Sequence, residues 1–412
     1  FGSDGKPVDV VGVFDRGIMD TYRVRFSDKT FLDVGLDHIW SVSRRTGKES
    51  KFAYWENKTT SELIGDLKRR REFKWIIPMA APVEYEERDY EIGPYTMGAM
   101  LANGNTTGTS ARLTTPDADV AERCGREGHD LNLLNSNTEG ACPSYTVYKT
   151  IGLFRKMGLC VYSEEKFIPR SYLEGSIEQR VALLQGLLDG DGSTRAGAGR
   201  RSMSYFTSSP NLAQDIVELV NSLGGTAVRS PWRDRSDEEG RENHLPECRI
   251  SIMLPDHIRF SSERKSLEVK SKYVRVPRRA IVDIELIGED EHRCIKVGSA
   301  DSLYLGSFNY VVTHNSAFIV NMMHRMKMVQ PDIKVMVLSL EQTRNEFFDR
   351  MHKLHAFYDP TVQAIDTVNF WQDNMMLIDK NSISEREVED SVYQFIYETG
   401  EEPDIIIVDY LG

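Results

Sequence analysis

The chain of 412 residues is longer than one ordinary core sustains, so two or three domains are expected. Its 40% hydrophobic and 28% charged content fit globular domains, and no apolar run approaches the roughly 18 residues of a membrane span. The net charge of −12 is unevenly placed: residues 316–412 hold 8 Lys/Arg against 17 Asp/Glu, leaving the first 315 close to neutral.

A start at Phe1 rather than Met, with no signal peptide, predicts a chain cut from a longer one. Cys124, Cys142, Cys160, Cys248 and Cys294 form no Cys-x-x-Cys pair, which argues against zinc and makes reduced thiols the default. Positive charge gathers at Lys68, Arg69, Arg70, Arg71 and Lys74, at Arg195, Arg200 and Arg201, and from Lys265 through Lys270, Lys272, Arg275, Arg278 and Arg279. Such clusters either neutralise phosphates or are plain solvated surface.

In chain order, residues 7–43 alternate apolar and polar side chains (Val8, Val10, Val13; Tyr22, Val24, Phe26; Phe31, Val34, Ile39), which predicts short strands with Gly and Asp turns. The stretch 58–74 reads as helical. From 92 to 270 the periodicity is mostly helical, and 273–313 returns to β patterning. Two β segments therefore bracket an insert. After Ser316, helix and strand alternate, the pattern of an α/β sheet.

The second β segment ends in Tyr310-Val311-Val312-Thr313-His314-Asn315-Ser316. An asparagine can attack its own backbone carbonyl through its side-chain nitrogen, closing a succinimide and cutting the chain. Because that attack is intramolecular, fixed geometry supplies several kcal/mol of the barrier. His314 is placed to transfer a proton to the departing amide, and the Ser316 hydroxyl can hold an acyl group beforehand.

Val-Val-Thr-His-Asn followed by Ser resembles the downstream splice junction of inteins. Ile281–Leu286 and His292–Val297 resemble the preceding intein block, which makes Asp283 and His292 the matching site residues. Phe31–His38 resembles the block with a Thr-x-x-His motif. His38 matches the histidine that strains and protonates the upstream scissile amide, and Gly35 stands where Thr is usual, which removes a hydrogen bond there. The resemblance also implies a Cys- or Ser-led block a few dozen residues before Phe1, without which the expected backbone reaction is cleavage after Asn315.

The insert carries a degenerate repeat: Tyr95–Gly104 and Leu184–Gly192 align with Gly98 and Gly186 88 residues apart. Gly98 and Ala102, and Gly186 and Gly190, put small residues at i and i+4, which lets two helices pack closely. Both segments resemble the LAGLIDADG helix of homing endonucleases, whose helix ends each present an acid to Mg²⁺ beside duplex DNA. Asp191 fits that role; Asn103 takes the partner position without a charge, which predicts weak cleavage. Lys166-Phe167-Ile168-Pro169 resembles a segment before the family's second motif. Ser209-Pro210 starts a helix that Gly224 ends.

The tail resembles replicative helicases of the DnaB class: Ser339-Leu340-Glu341 after an apolar strand, with Glu341 orienting the attacking water, and Ile405–Tyr410 as a Walker B strand with Asp409 near Mg²⁺. Splicing onto an upstream Gly-Lys would make Ser316 the Mg²⁺-binding hydroxyl of a P-loop. The expected fold is therefore multidomain: an all-β Hint splicing domain from 1–90 and 272–315, an inserted α+β LAGLIDADG endonuclease domain at 91–271, and a partial α/β RecA-like P-loop ATPase at 316–412. The resemblances imply double-stranded DNA as partner of the insert, and single-stranded DNA, ATP and Mg²⁺ for a spliced, hexameric helicase. They also imply no membrane, a cytoplasmic bacterial or phage-infected setting, and splicing without a cofactor. Autocatalytic splicing ranks first, above an active endonuclease or a helicase.

Overall fold

The computed structural model describes residues 1–46, 51–52, 55–70, 72–134, 140–194, 203–234, 245–255, 277–299, 301–314, 318–339, 343–345, 347–348, 351–352, 355, 361–371, 374–380 and 383–409. Its frame is a ribbon of two strands from opposite ends of the β-patterned regions. Val10–Phe26 runs antiparallel to Arg279–Val297, from Val10 opposite Val297 to Phe26 opposite Ile281. The ribbon belongs to a seven-stranded sheet. Across it lie, in order, 31–34, 10–26, 279–297, 75–77, 39–46 and 51–52, with 56–59 also paired to 39–46.

The strands turn apolar side chains inward where they cross the core. Val24, Phe26, Trp40, Val42, Trp75, Ile281 and Val311 meet in one core. A hairpin of Leu303–Gly306 and Val311–His314 completes this unit. Beside the core, Arg279 Nε donates to Asp28 Oδ2 at 2.6 Å, both side chains being almost fully buried. Removing either partner would strand the other charge out of water. Arg279 is thus bound inside the protein and is not a phosphate contact, a correction to its place in the third basic cluster. Lys74 pairs with Asp66, while Lys68, Arg69 and Arg70 are exposed on the hairpin of Lys68–Arg69 and Glu72–Phe73. Arg71, Arg195, Arg200, Arg201, Lys265, Lys270, Lys272 and Arg275 lie outside the described residues.

Two local expectations fail. The predicted short strands of 7–43 are replaced first by one strand of 17 residues. Positions that look like turn signals, such as Asp15 to Gly17, are absorbed as register shifts, because pairing with a partner strand of 19 residues outweighs local turn preference. The predicted helix over 58–74 shrinks to Thr60–Leu63, capped by Thr59 and Glu62. Gly65 takes φ +83° and Trp75–Ile77 is drawn into the sheet, where all three residues are buried.

The insert is a structural repeat. Helix Pro94–Asn103 is followed by strands 104–105, 111–114, 131–134 and 144–147; helix Ile177–Asp191 is followed by 192–194, 203–207, 226–229 and 248–253. In both sheets the first strand is at one edge and the fourth strand lies between the second and the third. In both, a helix (118–126 and 210–222) joins the second strand to the third. The described residues of 92–255, part of the stretch read mostly as helix, therefore form two α+β halves. The short strands here carry few alternating positions, which conceals them in the sequence. In the second half, Ser209 caps its helix by accepting from Leu212 N at 3.1 Å, and Gly224 follows it at φ +75°.

The tail forms a parallel sheet in the order 375–379, 335–339, 405–409, with helices at 318–329, 364–371 and 385–399. No helix among the described residues is long and apolar enough to cross a membrane.

Helices Pro94–Asn103 and Ile177–Asp191 meet along their glycines. A Cβ on Gly98 would overlap the carbonyl oxygen of Leu183 and sit 2.8 Å from Leu187 N; one on Gly186 would overlap the carbonyl of Tyr95 and sit 2.8 Å from Ala99 N. Gly186→Ala is expected to destabilise the chain by about 2 kcal/mol despite a helix-propensity gain of about 1 kcal/mol. Urea unfolding followed by circular dichroism reads this; an unchanged midpoint would contradict the backbone contact.

Candidate functional site

Three loci deserve description, beginning with the histidines. The backbone turns after strand 31–34 so that His38 N donates to Gly35 O at 3.2 Å. The His38 ring packs edge-on against Trp40, centroids 4.9 Å apart. Its Nε2 lies 2.5 Å from Thr313 Oγ1, joining residues 275 apart in the chain. Thr313 is buried on the hairpin strand that ends in His314.

His292 approaches from the ribbon, with Nε2 2.7 Å from Thr21 Oγ1. A Cβ on Gly35 would sit 3.1 Å from Asp37 Oδ1 and 3.5 Å from His292 Nδ1. A larger residue at Gly35 would therefore crowd both. Asp37 accepts from Arg16 Nη2 at 2.7 Å, and Arg16 Nη1 reaches Cys294 Sγ at 3.5 Å.

Burial pushes the His38 imidazole down to about 4; Asp37 opposes that shift, and His314 and His292 reinforce it. At neutral pH the ring is uncharged, which suits a group that must accept a proton before it can return one.

The predicted residues divide. His292 and His314 are close enough to His38 to disfavour its charged form. Asp283 is elsewhere: it faces Arg25 at 3.8 Å with its side chain 57% exposed. It lies nine residues along the strand from His292, roughly 30 Å at the usual rise. Asn315, Ser316 and Glu341 lie outside the described residues. Sequence reasoning missed Arg16, Thr21, Asp37, Cys294 and Thr313. One signal was available for Cys294: two residues beyond His292 on a strand, it shares that residue's face.

The second locus is the pair of helix ends. Gly190 faces Ala102 and, 3.4 Å from where its Cβ would be, Asn103 Nδ2. That brings the Asn103 amide beside the residue preceding Asp191. Lys166 is buried there; its Nζ donates to Leu101 O at 3.0 Å and to Gly104 O at 2.9 Å, capping the first helix. Burial lowers its amine to about 8, and Asp191 counters by favouring the charged form. Tyr205 is fully buried near Asp191, its hydroxyl pushed well above its usual range by that burial and by the nearby carboxylate. Asp189 is turned inward and accepts from Tyr95 Oη at 2.8 Å. At the other end of the first helix, Glu127 accepts from Tyr95 N at 2.9 Å and Thr96 N at 2.8 Å, a charged cap on a terminus that lacks one of its own.

Tested against a divalent ion, this donor set fits poorly: one carboxylate (Asp191), one amide oxygen (Asn103) and a competing ammonium (Lys166). No group of three or more His, Cys, Asp or Glu suited to a metal occurs among the described residues.

The third locus is the carboxyl edge of the parallel sheet. Ser339 lies between Asp379 and Asp409 in register, so the strand ends converge at one edge, the usual ligand-binding side of such sheets. Arg344 N donates to Asp379 Oδ2 at 2.9 Å.

Residues 178–266 match the family of LAGLIDADG-like domains. That match begins at the second motif helix and runs through its sheet. The chain is also 28% identical over 383 residues to a protein of Mycobacterium intracellulare described as replicative DNA helicase DnaB, covering 86% of this chain. It spans 60% of that relative's length. Among solved structures, I-DmoI in complex with DNA and Ca aligns at 12% identity and TM-score 0.27, over 40% of this chain and 83% of the other. I-DmoI with DNA and Mn aligns at 13% and 0.28, over 42% and 97%.

The depressed His38 imidazole has a measurable consequence. The unfolded chain, with histidine near 6.5, takes up the proton first. Stability contributed by the neutral ring is therefore complete above pH 6.5 and is lost as pH falls from 6.5 to about 4. The loss should reach at most about 3 kcal/mol. Denaturant titrations of the parent and of His38→Gln across that window test it; parallel pH dependences in the two would refute the assignment.

Proposed function

We propose that residues 1–90 and 272–315 form a self-processing intein domain that cuts the chain after Asn315. The observation that carries this reading is the 2.5 Å contact between His38 Nε2 and Thr313 Oγ1. It ties the histidine of one β segment to the strand leading into His314-Asn315. In the proposed reaction the Asn315 side-chain nitrogen attacks its own backbone carbonyl carbon. The bond to Ser316 breaks, a succinimide closes, and the amine of Ser316 departs with a proton passed from His314. In full splicing, with an upstream segment, the Ser316 hydroxyl carries that segment's acyl group as an ester; after Asn315 cyclises, the freed Ser316 amine attacks the ester carbonyl, forming the peptide bond and restoring the hydroxyl. Cys294, beside Arg16, is a second nucleophile within the cluster. Asp283, exposed and paired with Arg25, has no role in this version.

The insert is read as a homing-endonuclease domain that binds duplex DNA and cleaves it weakly. The glycine-lined helix contact and the family match over 178–266 support it. Asp191 and Asn103 are the residues that would face a Mg²⁺ ion there, and with one charge between them they would hold it weakly, in keeping with weak cleavage. The tail is read as part of the host: similarity to the DnaB relative supports an ATP-dependent helicase, spliced and hexameric, acting on single-stranded DNA in the cytoplasm. There Ser316 and Asp409 would hold Mg²⁺ and Glu341 would orient water.

Incubation of the chain should release a 97-residue product beginning at Ser316, visible by intact mass. Asn315→Ala should abolish it; undiminished cleavage in that variant would rule out cyclisation. For the insert, Asn103→Asp should raise Mg²⁺-dependent cutting of DNA spanning the uninterrupted helicase gene, on the order of a thousandfold for several kcal/mol of restored charge stabilisation. Equal cutting before and after the substitution would mean that Asn103 is not the weak point.

A further inference from the structure

The turn between the hairpin strands 303–306 and 311–314 is an unusual place for strain. Ser307 has φ +57° and Tyr310 φ +51°, so two of its four residues are left-handed without being glycine. Such a turn persists only where its surroundings hold it. From the β unit, Arg279 Nη1 donates to Tyr310 O at 3.2 Å and Nη2 to Asn309 O at 3.1 Å, with Asp28 fixing the guanidinium.

The linker ahead of the insert and the insert itself hold the same turn. Tyr310 Oη lies 3.1 Å from Tyr85 Oη. Tyr85 lies under the guanidinium of Arg180, 5.0 Å from its ring centre. Arg180 belongs to the second motif helix, is fully buried, and donates to Ser222 Oγ at 2.6 Å and to the carbonyl of Val83. Arg170, ion-paired to Glu218 of the insert, covers the Phe308 ring at 5.4 Å. A chain of contacts thus runs from the paired helices to the residue three positions before Thr313.

We propose that Tyr310 is a positioning residue for the junction, and that the docked insert holds it in place directly through Arg170 and indirectly through Tyr85 of the linker, which packs on the insert's Arg180. The inference rests on the self-processing reading, because the junction is what Tyr310 would position. Its physical content is independent of cleavage. If the insert's grip fixes the turn, loosening it frees the strand carrying Thr313 and His314, and water reaches His38.

The test compares the full chain with Tyr85→Phe, Tyr310→Phe and Arg170→Met, with Tyr162→Phe on the exposed surface of the insert as control. Phenylalanine keeps each ring and removes only the hydroxyl pair. The first readout is the NMR titration of His38, which is faced by Asp37, His292, His314 and Thr313. The junction-side variants should raise its midpoint from about 4 towards 6.5 by about one unit. The second is the rate of cleavage after Asn315, expected to fall about tenfold with its acid limb displaced in the same direction. An unmoved His38 midpoint in all three variants overturns the proposal, whatever the cleavage rate. If the parent does not cleave, the self-processing reading fails, and with it the role in positioning a reaction, while the titration still reports whether the insert holds the strand.

Discussion

The pairing of Val10–Phe26 with Arg279–Val297 is the constraint on which the rest depends. It closes a loop of more than 250 residues, and ordering so long a loop is costly in entropy. Cross-strand bonds over some fifteen paired positions and the core around Trp40, Trp75 and Ile281 offset that cost. Once the ribbon exists, His292 and Cys294 are carried to the segment around Gly35 and Asp37, and the hairpin carrying Thr313 meets His38. The insert leaves and returns at neighbouring points of one unit, so it can occupy the interior of the sequence without dividing the fold.

The insert solves a different packing problem. Two helices whose glycines touch backbone to backbone bring their carboxyl ends together, and each end feeds the first strand of its own sheet. Close approach leaves no space for a buried charge to be solvated, so the polar groups at this contact are spoken for: Asp189 by Tyr95, Lys166 by the carbonyls at the end of the first helix. Arg180 works likewise at the boundary with the β unit, its guanidinium distributed among carbonyls from three segments. Its charge is satisfied only when the linker at Val83 and the helix end at Ser222 are both docked, which makes the boundary specific as well as tight.

Desolvation sets the chemistry at both ends of the molecule. It holds His38 neutral with a proton acceptor available near neutrality, and it lowers the Lys166 amine beside Asp191. In both places a neighbouring carboxylate resists the shift, Asp37 at His38 and Asp191 at Lys166, and at His38 two other histidines reinforce it. An ammonium beside a lone carboxylate competes with a metal ion, so the helix ends bind a cation less well than two acids would.

Short-range patterns were enough to mark the alternating strands, the small residues at i and i+4, the serine-proline helix start and the polar His314-Asn315-Ser316 ending, because each depends on neighbours within a few residues. The same patterns misread 58–74 as helix and the first 17-residue strand as several. For the long strand a distant partner outweighed local preference, while in 58–74 the left-handed Gly65 and a local hairpin of 68–69 with 72–73 end the helix early. Asp283 matched a motif by letter yet faces solvent and Arg25, while Cys294, two residues past a motif histidine, joined the cluster through Arg16, a residue with no sequence signal of its own. Which side chains share a site depends on strand register and on contacts between residues hundreds apart. Register is fixed only when the two ends of the β unit pair, so the sequence by itself determined which chemistries the chain carries, and the tertiary structure decided which of them meet.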